Sequence, residues 1–217
     1  RPYIAQWKSM GLTFDGIETG FLGSEEQIAI VMDFIRDFST DRTTVVVDPI
    51  MGDGGVTYAT YTPQMCARMR CLVEKAHIIT PNLTEAMMLT GLDDGIRKLG
   101  QRDIHDLIDV LRSFGPEKGV ITSIPLVSGG LGNAAWNGKE IRLFSYEDLG
   151  ASFPGAGDLF ASVLYGLTLR GDSFFGSALH AEEIACRAIE ESLKSGRERR
   201  LGIELYPALR EMSRRML

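Results

Sequence analysis

The stretch Thr43-Thr44-Val45-Val46-Val47-Asp48 decides the fold of this chain. Its residues are apolar or β-branched without the alternation of a half-exposed strand, so they predict a central parallel strand covered on both faces. A helical pattern spans residues 24–38 before it, and Thr62-Pro63 opens another helix after it. This alternation predicts an α/β fold of three layers, with a mostly parallel central sheet and helices on both faces.

The same alternation continues along the chain in both directions. Ser24 and Gln27 are expected to form a capping box at the start of the helix that precedes the central strand. Asn82 caps another helix, which ends at Gly91, and Asn137-Gly138 predicts a short antiparallel hairpin. The other expected elements are strands near 14–20, 77–80 and 119–123, and helices near 104–111, 157–170, 174–195 and 206–216.

Composition narrows the class of protein. With 217 residues, 44% hydrophobic and 24% charged, the chain is expected to form one globular domain. No apolar run approaches the roughly 20 residues that span a bilayer, which argues against a membrane protein. The net charge of -6 argues against a nucleic-acid partner. The three cysteines lack metal spacing and are expected to be reduced thiols in a cytoplasmic protein.

Oxygen-bearing residues follow the predicted strands. In open α/β sheets, ligands bind beyond the carboxyl ends of the strands, where these residues are expected to meet. Such oxygens suit Mg²⁺, which one or two carboxylates and the phosphates hold during phosphoryl transfer. Each segment alone also fits a turn or a helix cap, whereas their shared edge favours a nucleotide-dependent phosphotransferase. The segments are Thr19-Gly20-Phe21, residues 48–53, residues 80–85 and Thr122-Ser123.

The four residues Gly155-Ala156-Gly157-Asp158 precede a helical pattern of apolar residues, so they are expected at a loop-to-helix junction. Glycines let the backbone approach a ligand, and the first amides of a helix bind anions. Asp158 lies beside these amides, where it could hold a substrate hydroxyl. Alone, the four residues fit a glycine-rich helix cap better. Together with the sheet edge, they favour a site for a transferring phosphate.

The sequence does not support either of two other nucleotide-binding motifs. Residues 130–135 fit the dinucleotide pattern G-x-G-x-x-A, but they lead into the predicted hairpin and not into a helix. The P-loop pattern G-x-x-x-x-G-K-[ST] does not occur in the sequence. The sequence therefore argues against a Rossmann site and a P-loop.

The ordered segments 48–53, 80–85, 122–123 and 155–158 together resemble the ribokinase superfamily, and most closely its pyridoxal kinase branch. The resemblance implies a single ribokinase-like domain over residues 1–217. It also implies ATP-dependent phosphorylation of the 5'-hydroxymethyl group of pyridoxal, pyridoxamine or pyridoxine, as in vitamin B6 salvage. The implied cofactors are ATP and Mg²⁺, with K⁺ as an option, and the implied assembly is a homodimer.

The resemblance also implies roles for individual residues. Asp158 would accept the proton of the substrate hydroxyl, and Gly155, Ala156 and Gly157 would form the anion hole. Phe21 falls where these kinases often have a Tyr near the substrate. The residues implied for ATP and its phosphates are Asn82, Glu85, Thr122, Ser123 and Gly157. Those implied for metal ions are Asp48, Asp53, Glu85, Thr80 and Thr122. Those implied for the substrate are Phe21, Asp53 and Asp158.

The resemblance leaves alternatives open. Pyridoxal kinases begin with a strand, substrate-contacting residues and a flap, and this chain is expected to lack that N-terminal segment, because residues 1–11 look like the later part of a helix. A hydroxymethylpyrimidine kinase of thiamine synthesis shares nearly all the motifs, and a sugar kinase shares fewer. A non-catalytic nucleotide-binding or dimerisation module is the alternative from another class.

Overall fold

The central strand predicted from its apolar sequence is present as Thr44–Val47, with Val45, Val46 and Val47 buried. It lies in a computed structural model that describes residues 1–92, 95 and 97–216, and the side chains of these residues except 207 and 214–216. The strands are β1 (Gly16–Thr19), β2 (Thr44–Val47), β3 (Gly52–Asp53), β4 (Val56–Thr57), β5 (Ile78–Ile79), β6 (Lys118–Pro125), β7 (Leu131–Asn137) and β8 (Glu140–Tyr146). The helices are α1 (Pro2–Ser9), α2 (Glu25–Phe38), α3 (Pro63–Val73), α4 (Leu83–Thr90), α5 (Gln101–Ser113), α6 (Ala156–Leu169), α7 (Phe174–Lys194) and α8 (Leu205–Met216).

The main sheet is mixed. Over the described residues it has six strands in the order β1-β2-β5-β6-β7-β8. The pairs β1-β2, β2-β5 and β5-β6 are parallel, and β7 runs antiparallel to β6. Strands β3 and β4 form a separate antiparallel hairpin. The carboxyl ends of four neighbouring parallel strands therefore lie at one edge, as the sequence predicts.

The predicted caps and turns are present, with one difference. The Ser24 hydroxyl accepts a hydrogen bond from the Gln27 amide at 3.2 Å, which caps α2. The return bond differs from the expected capping box, because the Gln27 side chain accepts from the Gly23 amide at 2.6 Å. Helix α4 ends at Gly91 with a left-handed φ of 73°. Gly138, with φ 59°, lies in the two-residue turn of the predicted hairpin between β7 and β8.

The core of the sheet is closely packed on Trp136 of β7. Its ring is fully buried, and its indole nitrogen donates to the Pro116 carbonyl at 3.4 Å. Gly119 of β6 lies opposite, and a Cβ atom there would be only 2.2 Å from the ring. Only glycine fits beside the indole. Helix α5 adds one buried stripe made of Ile104, Leu107, Ile108 and Leu111.

The chain divides into two compact units, residues 1–143 and residues 144–217. The candidate oxygen ligands at the sheet edge belong to the first unit, and the glycine-rich turn at 155–158 belongs to the second. The expectation of a single ribokinase-like domain stays a prediction. In the part of the chain that the structure describes, every helix is too short or too polar to cross a bilayer.

Candidate active site

Asp48 and Thr80 form a buried polar pair at the carboxyl ends of neighbouring strands. The Thr80 hydroxyl donates to a carboxylate oxygen of Asp48 at 3.0 Å. The amide of Asp48 donates to the Thr19 carbonyl at 3.0 Å, which fixes the first residue beyond β2. Both side chains are buried, so the hydrogen bond between them fixes the position of their oxygens. The structure thus brings together two of the residues predicted for a metal ion.

Glu85 lies at the start of α4 and is almost fully buried. Its two carboxylate oxygens accept from the Met51 amide at 3.2 Å and from the Asn82 amide at 2.8 Å. Burial, followed by the negative charge of Asp48, raises the pKa of Glu85 well above its ordinary value of 4.5, although backbone amides act in the opposite direction. The side chain therefore connects the loop after β2 to the N-terminus of α4.

Asn82 completes the capping box of α4. Its side-chain oxygen accepts from the Glu85 amide at 3.0 Å, while its side-chain nitrogen donates to the Gly52 carbonyl at 2.8 Å. The structural role that the sequence left open for Asn82 and Glu85 is thus present. The same contacts place the loop of residues 48–53 against the helix N-terminus, where the backbone amides favour anions.

Asp53 is exposed at the tip of the β3-β4 hairpin. Gly54 and Gly55 turn the hairpin with φ angles of 58° and 79°, and the Gly54 amide donates to Asp53 at 2.8 Å. The hydroxyl of Thr84 accepts from the Gly55 amide at 2.9 Å, which fastens the turn to α4. The hairpin therefore presents a carboxylate to solvent on an anchored turn.

Thr122 and Ser123 lie at an irregularity in β6. The register with β7 shifts between Ile121 and Ile124, and Ser123 has a left-handed φ of 57°. The buried side chain of Asn133 stabilises this turn, because its oxygen accepts from the Ser123 amide at 3.0 Å. Backbone strain of this kind costs about 1–3 kcal/mol and is often found at functional sites. The bend exposes Ser123 at the sheet edge.

Phe21 lies in the loop after β1, with about half of its surface exposed. The ring of Tyr61 meets it edge-on, with the two centroids 6.2 Å apart. The buried Tyr61 hydroxyl donates to the Leu22 carbonyl at 2.9 Å, so Tyr61 anchors the loop that carries Phe21. An exposed aromatic face on a fixed loop is suited to contact with a flat, apolar ligand.

The second unit holds the glycine-rich turn. Gly155 is the N-cap of α6, and its φ of 90° is a conformation that favours glycine. A Cβ atom at Gly157 would meet nothing within 4 Å, so the space beside this backbone is open. Asp158 is exposed in the first turn of the helix. The predicted loop-to-helix junction is therefore present, with open space beside Gly157 and with the Ala156 amide donating to the Phe153 carbonyl at 3.2 Å.

Two groups that support these loops, Tyr61 and Asn133, were not predicted from the sequence. A polar Asn133 inside an otherwise apolar strand was a usable signal, because a buried amide needs partners. Tyr61 gave no local signal, since its partner Leu22 is 39 positions away and meets it only in the folded chain.

Comparison with known proteins assigns the family. The sequence profile of the phosphomethylpyrimidine kinase family matches residues 5–201. The pyridoxal kinase of sheep, Ovis aries, is 33% identical over 175 residues, which is 71% of this chain and 54% of the sheep protein. The chain thus spans about half the length of this and other curated relatives.

Solved structures agree with this match. A Bacteroides thetaiotaomicron protein, described as a candidate phosphomethylpyrimidine kinase, has a TM-score of 0.91 and 35% identity, covering 98% of this chain and 74% of its own. Another crystal form of it, with pyridoxal, has a TM-score of 0.86 and 33% identity, covering 98% of this chain and 75% of its own.

The pyridoxal kinase of Lactobacillus plantarum has a TM-score of 0.85 and 26% identity, covering 97% of this chain and 74% of its own. The predicted fold class, a mostly parallel sheet with helices on both faces and a short antiparallel hairpin, is confirmed. The chain belongs to the phosphomethylpyrimidine kinase family, within its ribokinase-like pyridoxal kinase branch.

Proposed function

We propose that this protein is an ATP-dependent kinase that phosphorylates the 5'-hydroxymethyl group of pyridoxal, pyridoxamine or pyridoxine. The observation that carries the proposal is the turn at 155–158, in which a left-handed glycine cap, an open backbone and an exposed aspartate open a helix. The pyridoxal in a crystal form of the Bacteroides relative supports the substrate class.

In this proposal, the turn performs the transfer. The backbone of Gly155, Ala156 and Gly157 would hold the transferring phosphoryl group, because amides at a helix N-terminus stabilise the charge on its oxygens. The Ala156 amide donates to the Phe153 carbonyl at 3.2 Å and would exchange this partner for a phosphoryl oxygen. Asp158 would contact the substrate hydroxyl and accept its proton. A weak base is sufficient here, since phosphoryl transfer depends mainly on positioning and charge neutralisation.

The sheet edge would hold the nucleotide phosphates and the metal ions. The residues proposed to lie near the phosphates are Asn82, Glu85, Thr122 and Ser123. Those proposed to bind Mg²⁺ or K⁺ are Asp48, Asp53, Thr80, Glu85 and Thr122. Within the described residues, no group of three or more His, Cys, Asp or Glu side chains is placed to hold a metal ion. One or two of the proposed carboxylates would suit Mg²⁺ that takes most of its ligands from phosphates and water. When bound, Mg²⁺ supplies charge neutralisation on the phosphates.

Phe21 and Asp53 are proposed to contact the vitamer. The ring of Phe21 is exposed and supported by Tyr61, and it could cover one face of a pyridine ring. Where related kinases often have a Tyr, this chain lacks the phenol oxygen, so the contact would be apolar. A cytoplasmic location, which the cysteine pattern favours, and a homodimer, which the resemblance implies, belong to the same proposal.

Hydroxymethylpyrimidine is the second candidate substrate. The description of the matching family favours it, since the profile is that of phosphomethylpyrimidine kinases. Both substrates present a hydroxymethyl group on a six-membered nitrogen heterocycle, so the chemistry is the same. The difference between them must come from contacts to the ring.

The test is an assay of ATP-dependent phosphorylation of the three vitamers and of hydroxymethylpyrimidine, with Mg²⁺ and K⁺. It is run on this chain and on a version extended at its N-terminus. We expect at least one vitamer to be phosphorylated by this chain or by the extended version. If both bind ATP but phosphorylate none of the four compounds, a sugar kinase or a non-catalytic nucleotide module replaces it.

The role of Asp158 is tested by Asp158→Ala. We expect turnover to fall by about 100-fold or more, because loss of a positioned base costs that much, while the affinity for ATP stays within about threefold. The matched control is Asp109→Ala, which removes an exposed carboxylate paired with Arg112 on α5. Turnover of Asp158→Ala near that of the control would rule out Asp158 as the base.

A further inference from the structure

The segment after α7 is organised by one guanidinium group. Arg197 donates from Nε to the Gly202 carbonyl at 2.8 Å and from Nη2 to the Leu201 carbonyl at 3.1 Å. Its Nη1 atom pairs with a carboxylate oxygen of Glu204 at 2.9 Å, and both side chains are about two-thirds buried. The planar guanidinium presents several donors in a fixed arrangement, so the three acceptors are held relative to one another.

This segment is also fastened to α7. The Glu204 amide donates to the hydroxyl of Ser192 at 2.8 Å, and that hydroxyl donates to the Ala188 carbonyl at 2.6 Å. The Arg197 amide donates to the Ser192 carbonyl at 3.2 Å. Ser192 is fully buried. The segment of residues 197–204 is therefore a rigid brace on the helix, and we name it the C-terminal brace.

The C-terminal brace meets the glycine-rich turn. The amide of Ile203 donates to the Pro154 carbonyl at 2.9 Å. Gly202 has a φ of 73°, and a Cβ atom there would lie 3.1 Å from the same carbonyl. The Ile203 side chain lies 3.5 Å from where a Cβ atom of Gly155 would be. The peptide group between Pro154 and Gly155 is thus held by the brace on one side.

We propose that Arg197 is a positioning residue for the anion-binding turn. By fixing Gly202 and Ile203, it sets the direction of the Pro154 carbonyl, and hence the orientation of the amides that follow Gly155. Donors to a phosphoryl group must lie close to their productive geometry, and a misplacement of about 1 Å can cost 100-fold in rate. The catalytic part of this inference rests on the proposed function, while the geometric part does not.

The first test compares Arg197→Met with Arg200→Met. Arg200 is a matched control, because it is in the same segment but forms its ion pair with Glu198, at 2.6 Å, and its side chain is 81% exposed. We expect kcat of Arg197→Met to fall by about 10- to 100-fold with KM for ATP within about threefold, as for a lost positioning contact. Glu204→Gln, which keeps an oxygen acceptor for Arg197, should retain most of the activity.

The second test does not depend on activity. Amide ¹H-¹⁵N chemical shifts of Gly155, Ala156 and Gly157 are compared among wild type, Arg197→Met and Arg200→Met. We expect all three to move in Arg197→Met and to stay at their wild-type values in Arg200→Met. If wild type phosphorylates none of the four compounds, the proposed function fails, while the amide shifts still decide the geometric part.

Gly202→Ala provides an independent variant if Arg197→Met does not fold. Its new methyl group would press on the Pro154 carbonyl without removing Arg197, so we expect the same displacement of the amide shifts and the same selective loss of kcat. Unchanged amide shifts of the turn in the folded variants would overturn the inference. So would a loss of turnover in Arg200→Met as large as in Arg197→Met.

Discussion

Single residues with unusual environments connect the loops of the sheet edge. Tyr61 is buried, and its hydroxyl donates to the Leu22 carbonyl. Burial raises the pKa of Tyr61 from 10.0 to about 12, and the charges of Glu85 and Cys66 act in the same direction. This phenol therefore reports on the burial of the loop that carries Phe21.

Tyr61→Phe tests this environment. The raised pKa stabilises the native state fully below pH 10, and this contribution is lost as the pH rises through 12. We expect tyrosine absorbance, read immediately after a pH jump, to lose its transition near pH 12 in the variant. Urea unfolding at pH 7 should show a loss of about 1 kcal/mol for the missing hydrogen bond. A wild-type tyrosine transition that is complete by pH 11 would contradict the burial of this phenol.

Two glycines in regular elements differ in how closely other side chains and backbone atoms pack against them. Gly119 in β6 lies against Trp136 of β7, and a Cβ atom there would also be 2.8 Å from the Ile79 carbonyl of β5. Gly166 lies in the last turn of α6, where a Cβ atom would meet nothing within 4 Å. The first glycine is required by strand packing, whereas the second only lowers the helix propensity.

Substitution by alanine should separate these two cases. Gly119→Ala is expected to lose about 1–3 kcal/mol of unfolding free energy or more, because the methyl group overlaps a rigid ring and a backbone atom. Gly166→Ala is expected to gain up to about 1 kcal/mol, because alanine is the better helix former. The measurement is urea unfolding of both variants beside wild type. Equal stabilities of the two variants would show that the β6-β7 contact is not tightly packed.

The molecule as a whole is expected to be stabilised by its nucleotide. A ligand that binds only the native state at 100 times its dissociation constant adds about 2.7 kcal/mol to the unfolding free energy. For a chain of this size, that corresponds to a rise in Tm of roughly 5–10 °C. We expect this rise with Mg²⁺ and ATP, measured by thermal unfolding. NAD⁺ is the control, because the stretch that fits the dinucleotide pattern lies in strand β7. An equal rise with both compounds would argue against an ATP site.

The sequence by itself determined the alternation of elements and the positions of the caps. The apolar run at Thr44–Val47, the Asn82 cap and the Asn137-Gly138 turn are local patterns, in which the residues that interact are close in the chain. Such patterns could be read because hydrophobic periodicity and capping depend on neighbours within a few residues. The ordered motifs also indicated the family by their resemblance to its members, and the comparisons confirmed this family.

Only the tertiary structure decided which distant groups meet. It paired the Thr80 hydroxyl with Asp48, gave Glu85 its raised pKa, and placed Asn133 under the bend at Ser123. It also brought Ile203 onto the Pro154 carbonyl, 49 positions away in the chain. The physical reason is that burial and hydrogen bonds between distant segments depend on how the elements pack. No local pattern of residues encodes that packing.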